Sequence, residues 1–263
     1  MSEIEHMSVS SNPPFNPFSL AGKRVLVTGA SSGLGYAIAL SCARMGAEII
    51  ATGRDQARLA KILEELLAIS NLPHKIIAAD LTLADGRAEV VANLGGEIHG
   101  LTHCAGISRL CPVRMLSETH LRELQAINVE APMLLTQGIL KRNLLAAGGS
   151  ILFIASIAAY IGVPGVAAYS GTKAALIGIA RCLALEVVKH RIRVNCLAPS
   201  LVDTPMLDSP LMMPGSFDRQ RESHPLGFGK PQDVANAAIF MLSDASPWIT
   251  GTTLVMDGGL TIG

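Results

Sequence analysis

The sequence has no excess of either charge. Its 263 residues carry 21 Lys and Arg against 21 Asp and Glu, a formal net charge of zero. No long-range field therefore draws the chain to nucleic acid or to an anionic membrane, and neither is expected as a partner. It also lacks cysteine spacing. The five cysteines, Cys42, Cys104, Cys111, Cys182 and Cys196, show no Cys-x-x-Cys pair and no Cys/His ligand spacing. That excludes a zinc ribbon and a disulfide framework, and predicts buried thiols in a reducing, cytoplasmic setting. No apolar run approaches the ~20 residues that span a bilayer. Residues 1–19 are rich in Ser, Asn, Pro and Glu without an apolar centre, so a loose tail is expected there and not a signal peptide.

What is present is a dry globular composition, 49% hydrophobic and only 16% charged. From residue 20 onward no linker interrupts the pattern, which predicts one domain over 20–263. Short β-branched runs alternate with helical periodicity. Strands are expected at 23–28, 47–52, 75–79, 100–104, 150–155, 191–197 and 252–256. Helices are expected at 36–46, 56–68 (capped by Asp55), 83–94, 118–145 with Pro132 as a kink, 167–189 and 231–242. This alternation predicts an α/β fold: a parallel sheet with helices on both faces.

Two stretches carry chemistry. The first strand runs straight into Gly29-Ala30-Ser31-Ser32-Gly33-Leu34-Gly35 and then a helix. Glycines at such a turn let a pyrophosphate approach the backbone, and the helix N-terminus offers free N–H groups. The spacing is neither Gly-x-Gly-x-x-Gly nor, lacking its Lys, a P-loop. The second stretch spans 156–173. Tyr169 and Lys173 lie one helical turn apart on one face, and the Gly162-Val163-Pro164-Gly165 turn folds that helix back towards the strand end at Ser156. A serine hydroxyl, a phenol and an ammonium would then converge.

Together these residues resemble the short-chain dehydrogenase/reductase family: the Thr28–Gly35 turn, Asn128, Ser156, Tyr169, Lys173, Ile249-Thr250-Gly251 and Val255-Met256-Asp257-Gly258-Gly259 follow its pattern in order over about 20–263. The resemblance implies a Rossmann-type, doubly wound sheet of seven parallel strands and hydride transfer between a nicotinamide and a carbonyl or alcohol carbon. It implies Tyr169 as general acid/base, Ser156 as partner of the substrate oxygen, and Lys173 as ribose ligand that lowers the Tyr169 pKa. Asn128 would hold a water that relays protons to Lys173. Gly29, Ser31, Ser32, Gly33, Leu34 and Gly35 would cradle the pyrophosphate; Asp80 and Leu81 would meet the adenine; Ala105 and Gly106 would admit the cofactor. Pro199, Val202 and Thr204 would reach the nicotinamide carboxamide. Two departures stand out. His103-Cys104 replaces a pair of asparagines, with His103 expected to be structural and Cys104 a buried thiol, and Ser200 replaces a glycine after Pro199.

The second strand ends Thr52-Gly53-Arg54. A cation with no carboxylate suits a 2′-phosphate, so NADP(H) is expected, with NAD(H) as the alternative; Arg54 also fits a solvated helix-start residue. Substrate choice is expected in a lid over about 201–229, whose Met206, Leu207, Leu211, Met212, Met213 and Phe217 suit an uncharged or fatty substrate or simply pack the lid down. Arg109 and Arg114 are weak candidates for an anionic group. The leading reading is an NADPH-dependent carbonyl reductase. A 3-oxoacyl-acyl-carrier-protein reductase with a basic patch at Lys189, His190 and Arg191, an NAD(H)-dependent alcohol or polyol dehydrogenase, and a catalytically silent nucleotide sensor are the alternatives. Family resemblance also implies a homo-oligomer, a tetramer paired through the long helices.

Overall fold

The computed structural model describes residues 15–206 and 221–262. Leu207, Leu211, Met212, Met213 and Phe217 lie outside the described residues, as does most of the expected tail. Seven strands form one parallel sheet in the order β3-β2-β1-β4-β5-β6-β7. They are β1 (Arg24–Thr28), β2 (Glu48–Gly53), β3 (Lys75–Ala78), β4 (Ile98–His103), β5 (Leu145–Ile154), β6 (Arg193–Pro199) and β7 (Thr253–Met256). The helices are α1 (Gly33–Arg44), α2 (Gln56–Ile69), α3 (Ala84–Ala92), α4 (Glu118–Gln125), α5 (Ala131–Lys141), α6 (Ala167–Val187) and α7 (Pro231–Leu242).

Successive strand residues point to opposite faces, so each strand feeds two cores. Val25 and Val27 pack with α1, α2 and α7, whereas Leu26 packs with residues of α3, α5 and α6. Strands buried on both faces need near-continuous apolar sequence, and β6 is buried throughout. The parallel sheet expected from the alternation is present, with the seven strands and doubly wound order that the family resemblance implied. From β1 the chain winds outward to β3, then returns past β1 to β4. That reversal leaves a crevice beyond the carboxyl ends of β1 and β4, where ligands bind in such sheets.

Three expectations change. The 118–145 helix is broken: Ala126–Glu130 forms a π-turn between α4 and α5, and the chain turns at Asn143 (φ 52°). One extra residue in a turn is invisible to 3.6-residue periodicity. Second, β5 begins at Leu145 and not at Ser150, carrying Gly148 and Gly149 through a register shift against β4. Third, not all thiols are buried: Cys42 and Cys196 are, Cys104 and Cys111 are half-buried, and Cys182 is exposed on α6. Asp55 does cap α2, accepting from the Arg58 N–H at 3.0 Å. No described helix is long and apolar enough to cross a membrane, and no described His, Cys, Asp and Glu cluster could hold a metal.

Candidate active site

The strand register brings the carboxyl ends together. Thr28 pairs with Thr52 on one side and His103 on the other, and Ile154 of β5 pairs with Leu197 of β6. Beyond those ends lies a cavity of about 1090 Å³.

At its first wall the glycine turn is tight. Gly29 adopts φ +65°, and a Cβ there would stand 2.8 Å from the backbone N and Cα of Ala105. A Cβ on Gly35 would stand 2.4 Å from the Gly29 carbonyl oxygen, so α1 can start against the turn only with glycine. Thr28 Oγ1 accepts from the N–H groups of Cys104 and Ala105, both at 3.1 Å. This ties β1 to β4 where the family's asparagines are missing. Ser32 stands at the N-cap of α1 without its side chain accepting a capping bond, and the first turn holds no acid. Those N–H groups are therefore open to an anion. Ser31, Ser32, Gly33, Leu34 and Gly35 all line the cavity.

The second wall is the end of β2 and β3. Gly53 and Arg54 line the cavity, with Arg54 exposed, and so does Leu81. Asp80 does not. Its carboxylate accepts from the Thr82 N–H at 2.9 Å and the Thr82 hydroxyl at 2.7 Å, and those bonds with nearby Arg54 hold its pKa below the usual range. The Asp80 side chain closes its own turn onto Thr82, and Leu81 with Thr82 forms the adjoining wall.

Ala105, Gly106, Ser156, Tyr169 and Lys173 share the middle of the cavity. Lys173 is buried; its Nζ donates to the Ile154 carbonyl at 2.8 Å and lies 5.6 Å from the Tyr169 ring centroid. Burial pulls its pKa from 10.5 down to about 8, against smaller upward pulls from Cys104 and Cys196. Burial pushes the Tyr169 phenol up, while the Ser156 hydroxyl, hydrogen-bonded to it, pulls it down. The expected lowering of Tyr169 by Lys173 is thus not what dominates here: desolvation favours the neutral form of each group. Asn128 is committed to protein partners. Its Oδ1 accepts from Ile107 N–H at 2.9 Å, and its Nδ2 donates to the Ile107 carbonyl at 3.0 Å and Thr172 Oγ1 at 3.1 Å. It lies behind the cavity wall, fastening the loop after β4 onto α6. The π-turn aims it there, and Gly106 fits between it and Lys173: a Cβ would meet Asn128 Oδ1 at 3.0 Å and Lys173 Nζ at 3.5 Å.

His103 is fully engaged. It stacks on Phe153 (5.0 Å, 12°), and its Nε2 lies 2.8 Å from Thr136 Oγ1. The Thr136 hydroxyl already donates to the Pro132 carbonyl, so Nε2 is assigned as the donor. Burial pushes the imidazole pKa down to about 3, so it is a neutral structural residue and no base.

The last wall holds Pro199, Val202 and Thr204, steadied where Val202 bridges Gly229 and the Asp203 N–H donates to the Gly229 carbonyl at 2.9 Å. It also holds residues that sequence reasoning missed: Ser200, Ser223, His224 and Leu260. Their segment has no periodicity to flag them; the serine in place of glycine at 200 was the one available signal. Met206 lines the cavity half-exposed. Arg109 reaches it too, ion-paired to Glu123, and Arg114 does not.

A family model described as Enoyl-(Acyl carrier protein) reductase matches residues 29–261. The chain is 36% identical to D-threitol dehydrogenase of Mycolicibacterium smegmatis over 266 residues, covering 100% of both. It is 33% identical to the 3-oxoacyl-acyl-carrier-protein reductase FabG of Thermotoga maritima, over 92% of this chain and 99% of that one. Its fold is similar to a gluconate 5-dehydrogenase from Burkholderia cenocepacia solved in complex with NADP and tartrate (TM-score 0.87, 26% identity, 94% and 98% covered). With the sheet order, the glycine turn and the convergence of Ser156, Tyr169 and Lys173, these matches show that the chain belongs to the short-chain dehydrogenase/reductase family.

Proposed function

We propose that the protein is an NADP(H)-dependent oxidoreductase that interconverts a ketone or aldehyde and its alcohol, with Tyr169 as the general acid/base. The observation that carries this reading is one continuous cavity, lined at one end by the glycine turn and Arg54 and in its middle by Ser156, Tyr169 and Lys173. The turn fits a dinucleotide: open helix N–H groups stand over glycines whose Cβ positions are taken by backbone. When bound, the nicotinamide supplies or accepts the hydride. Ser156 donates to the substrate oxygen and holds it beside the phenol. In reduction the Tyr169 hydroxyl gives that oxygen its proton, and in oxidation the phenolate takes one back. A phenol whose pKa burial has raised keeps its proton at neutral pH, which suits the reducing direction. Lys173, anchored by the Ile154 carbonyl, presents its ammonium to the ribose hydroxyls; once Tyr169 has given up its proton, a proton from this ammonium restores the phenol and solvent reprotonates the amine. Asn128 fixes the loop that carries Gly106 and the face of α6 that carries Lys173.

Arg54 in place of an acid supports NADP(H), as does the relative solved with NADP. The test is a carbonyl and alcohol panel followed by NADPH absorbance. Turnover with several carbonyls is expected; none at all would return the protein to the nucleotide-sensor reading. A 3-oxoacyl-acyl-carrier-protein substrate is the second reading, resting on the Thermotoga maritima relative, and failure to reduce an acetoacetyl thioester would set it aside. We further infer a cytoplasmic homotetramer. Met133 of α5 and Leu185 of α6 are exposed apolar residues on the long helices. Light scattering tests the assembly.

A further inference from the structure

Hydride and proton transfer use one side of the cavity. The other side carries a polar pair that this chemistry does not need. Ser200 follows Pro199 at the end of β6, and its N–H donates to the Met256 carbonyl at 2.9 Å, which fixes its backbone against β7. Ile154 pairs with Leu197 and the Ala155 N–H donates to the Leu197 carbonyl at 2.8 Å, so Ser156 and Ser200 follow the carboxyl ends of neighbouring strands, and both line the cavity. His224 reaches Ser200 from the segment that leads back to α7, with Nε2 2.8 Å from Ser200 Oγ.

This imidazole is held. It is only 4% exposed and meets Phe228 edge-on at 5.4 Å. The next residues are pinned by the C-terminal turn: the Leu226 N–H donates to the Gly258 carbonyl at 2.9 Å, and Gly259 packs against Pro225. Asp257 closes that turn by accepting from Gly259 N–H at 3.0 Å and from Thr261 N–H at 2.9 Å. A serine hydroxyl has one donor and two acceptor positions, and the bond to His224 uses one of them in either ring tautomer. Ser200 lines the cavity, and Leu201, Val202 and Leu260 on the same wall are apolar. A fixed hydroxyl with remaining hydrogen-bonding capacity in an apolar wall discriminates strongly, because a ligand lacking the matching group leaves it unpaired.

We propose that Ser200, held by His224, is a specificity-determining site that hydrogen-bonds a substrate hydroxyl close to the reacting carbonyl. The preferred substrates are then hydroxylated ketones and their polyols, ahead of plain alkyl ketones or fatty acyl groups. This rests on the reading that Ser156 and Tyr169 hold the reacting oxygen.

The test is calorimetric binding to the complex with oxidised nucleotide, in which the ketone carbonyl cannot be reduced, with NADPH absorbance followed to show that no hydroxyl is oxidised during the titration. The probes are both enantiomers of erythrulose and butanone, which has the same carbon chain without the hydroxyls. Wild type is expected to bind one erythrulose about tenfold or more tighter than butanone, the value of one well-made hydrogen bond. Ser200→Ala and His224→Phe should weaken erythrulose and spare butanone, bringing the ratio to about twofold, whereas Ser200→Thr should keep the preference. If His224→Phe does not fold, the two Ser200 variants decide. Equal losses for both ligands, an unchanged ratio, or no erythrulose binding to wild type would overturn the proposal. Since no proton is transferred in this complex, such a result is separate from failure of the Tyr169 reading.

Discussion

Lys173→Met should make the folded protein more stable at neutral pH and less stable at alkaline pH. Burial takes this ammonium from 10.5 down to about 8. At about 1.4 kcal/mol per pH unit, the folded chain pays about 3 kcal/mol to keep Lys173 charged. Below pH 8 both folded and unfolded chains hold the proton, so that cost is complete. Between pH 8 and 10.5 the unfolded chain still holds it and the folded chain releases it, so wild-type stability rises with pH across this window. Methionine removes the charge at similar length but leaves the Ile154 carbonyl without its 2.8 Å donor, a loss of about 1–3 kcal/mol. The variant should therefore gain roughly 1–2 kcal/mol at pH 7 and fall below wild type by a similar amount near pH 10.5. Cys196, which burial pushes up to about 12 against a pull from Lys173, stays protonated in both folded proteins over this range, so it cancels in the difference. Urea denaturation of both proteins at steps from pH 7 to pH 10.5 measures it. A difference that stays constant with pH would refute the claim that burial dominates Lys173. The gain at neutral pH would accompany lost turnover, the usual exchange at an active site.

Three more predictions test other parts of the site. Gly29→Ala must adopt φ +65° and press its Cβ to 2.8 Å from the Ala105 backbone; a stability loss of about 2–4 kcal/mol is expected in urea melts, with nucleotide binding weakened in calorimetry. Arg54→Glu removes a cation and adds repulsion where we propose that the 2′-phosphate binds, so kcat/KM with NADPH should fall roughly 10- to 100-fold while that with NADH is kept or improved. His103 has a folded pKa of about 3, below its unfolded 6.5, so its contribution is complete above pH 6.5 and is lost as pH falls. His74, also lowered by burial, adds in the same direction. Wild-type stability should drop by about 1.4 kcal/mol per pH unit for His103 in this range, and His103→Asn should lose that share of the slope in acid melts.

The site was legible to the extent that its chemistry is local in the chain. The glycine turn follows its strand directly, and Tyr169 and Lys173 share a helix face, so residue order alone brings them close. Strands such as β1, β2 and β6 were readable because they are apolar on both faces and bounded by turns. What depended on through-space packing was not readable. Asn128 faces Ile107 and Thr172 only because of the π-turn, and a one-residue insertion leaves hydrophobic periodicity intact. The direction of the Tyr169 shift depends on desolvation, which a residue list cannot weigh against a cation 5.6 Å away. That Asp80 Oδ1 accepts from both the N–H and the hydroxyl of Thr82, two residues on, is local geometry that a list of residue types does not reveal. His224 reaches Ser200 across 24 positions, from a stretch without regular structure.

The proton-transfer role of Tyr169 is the centre of the account, and Tyr169→Phe tests it most directly, with turnover and nucleotide affinity measured on the same preparation. Removing one hydroxyl should lower kcat/KM for carbonyl reduction by about 100- to 10,000-fold. The nucleotide Kd should stay within about twofold, because the glycine turn, Arg54 and Lys173 remain. Turnover above about a tenth of wild type would contradict it, since the proton would then reach the substrate oxygen from a group other than this phenol.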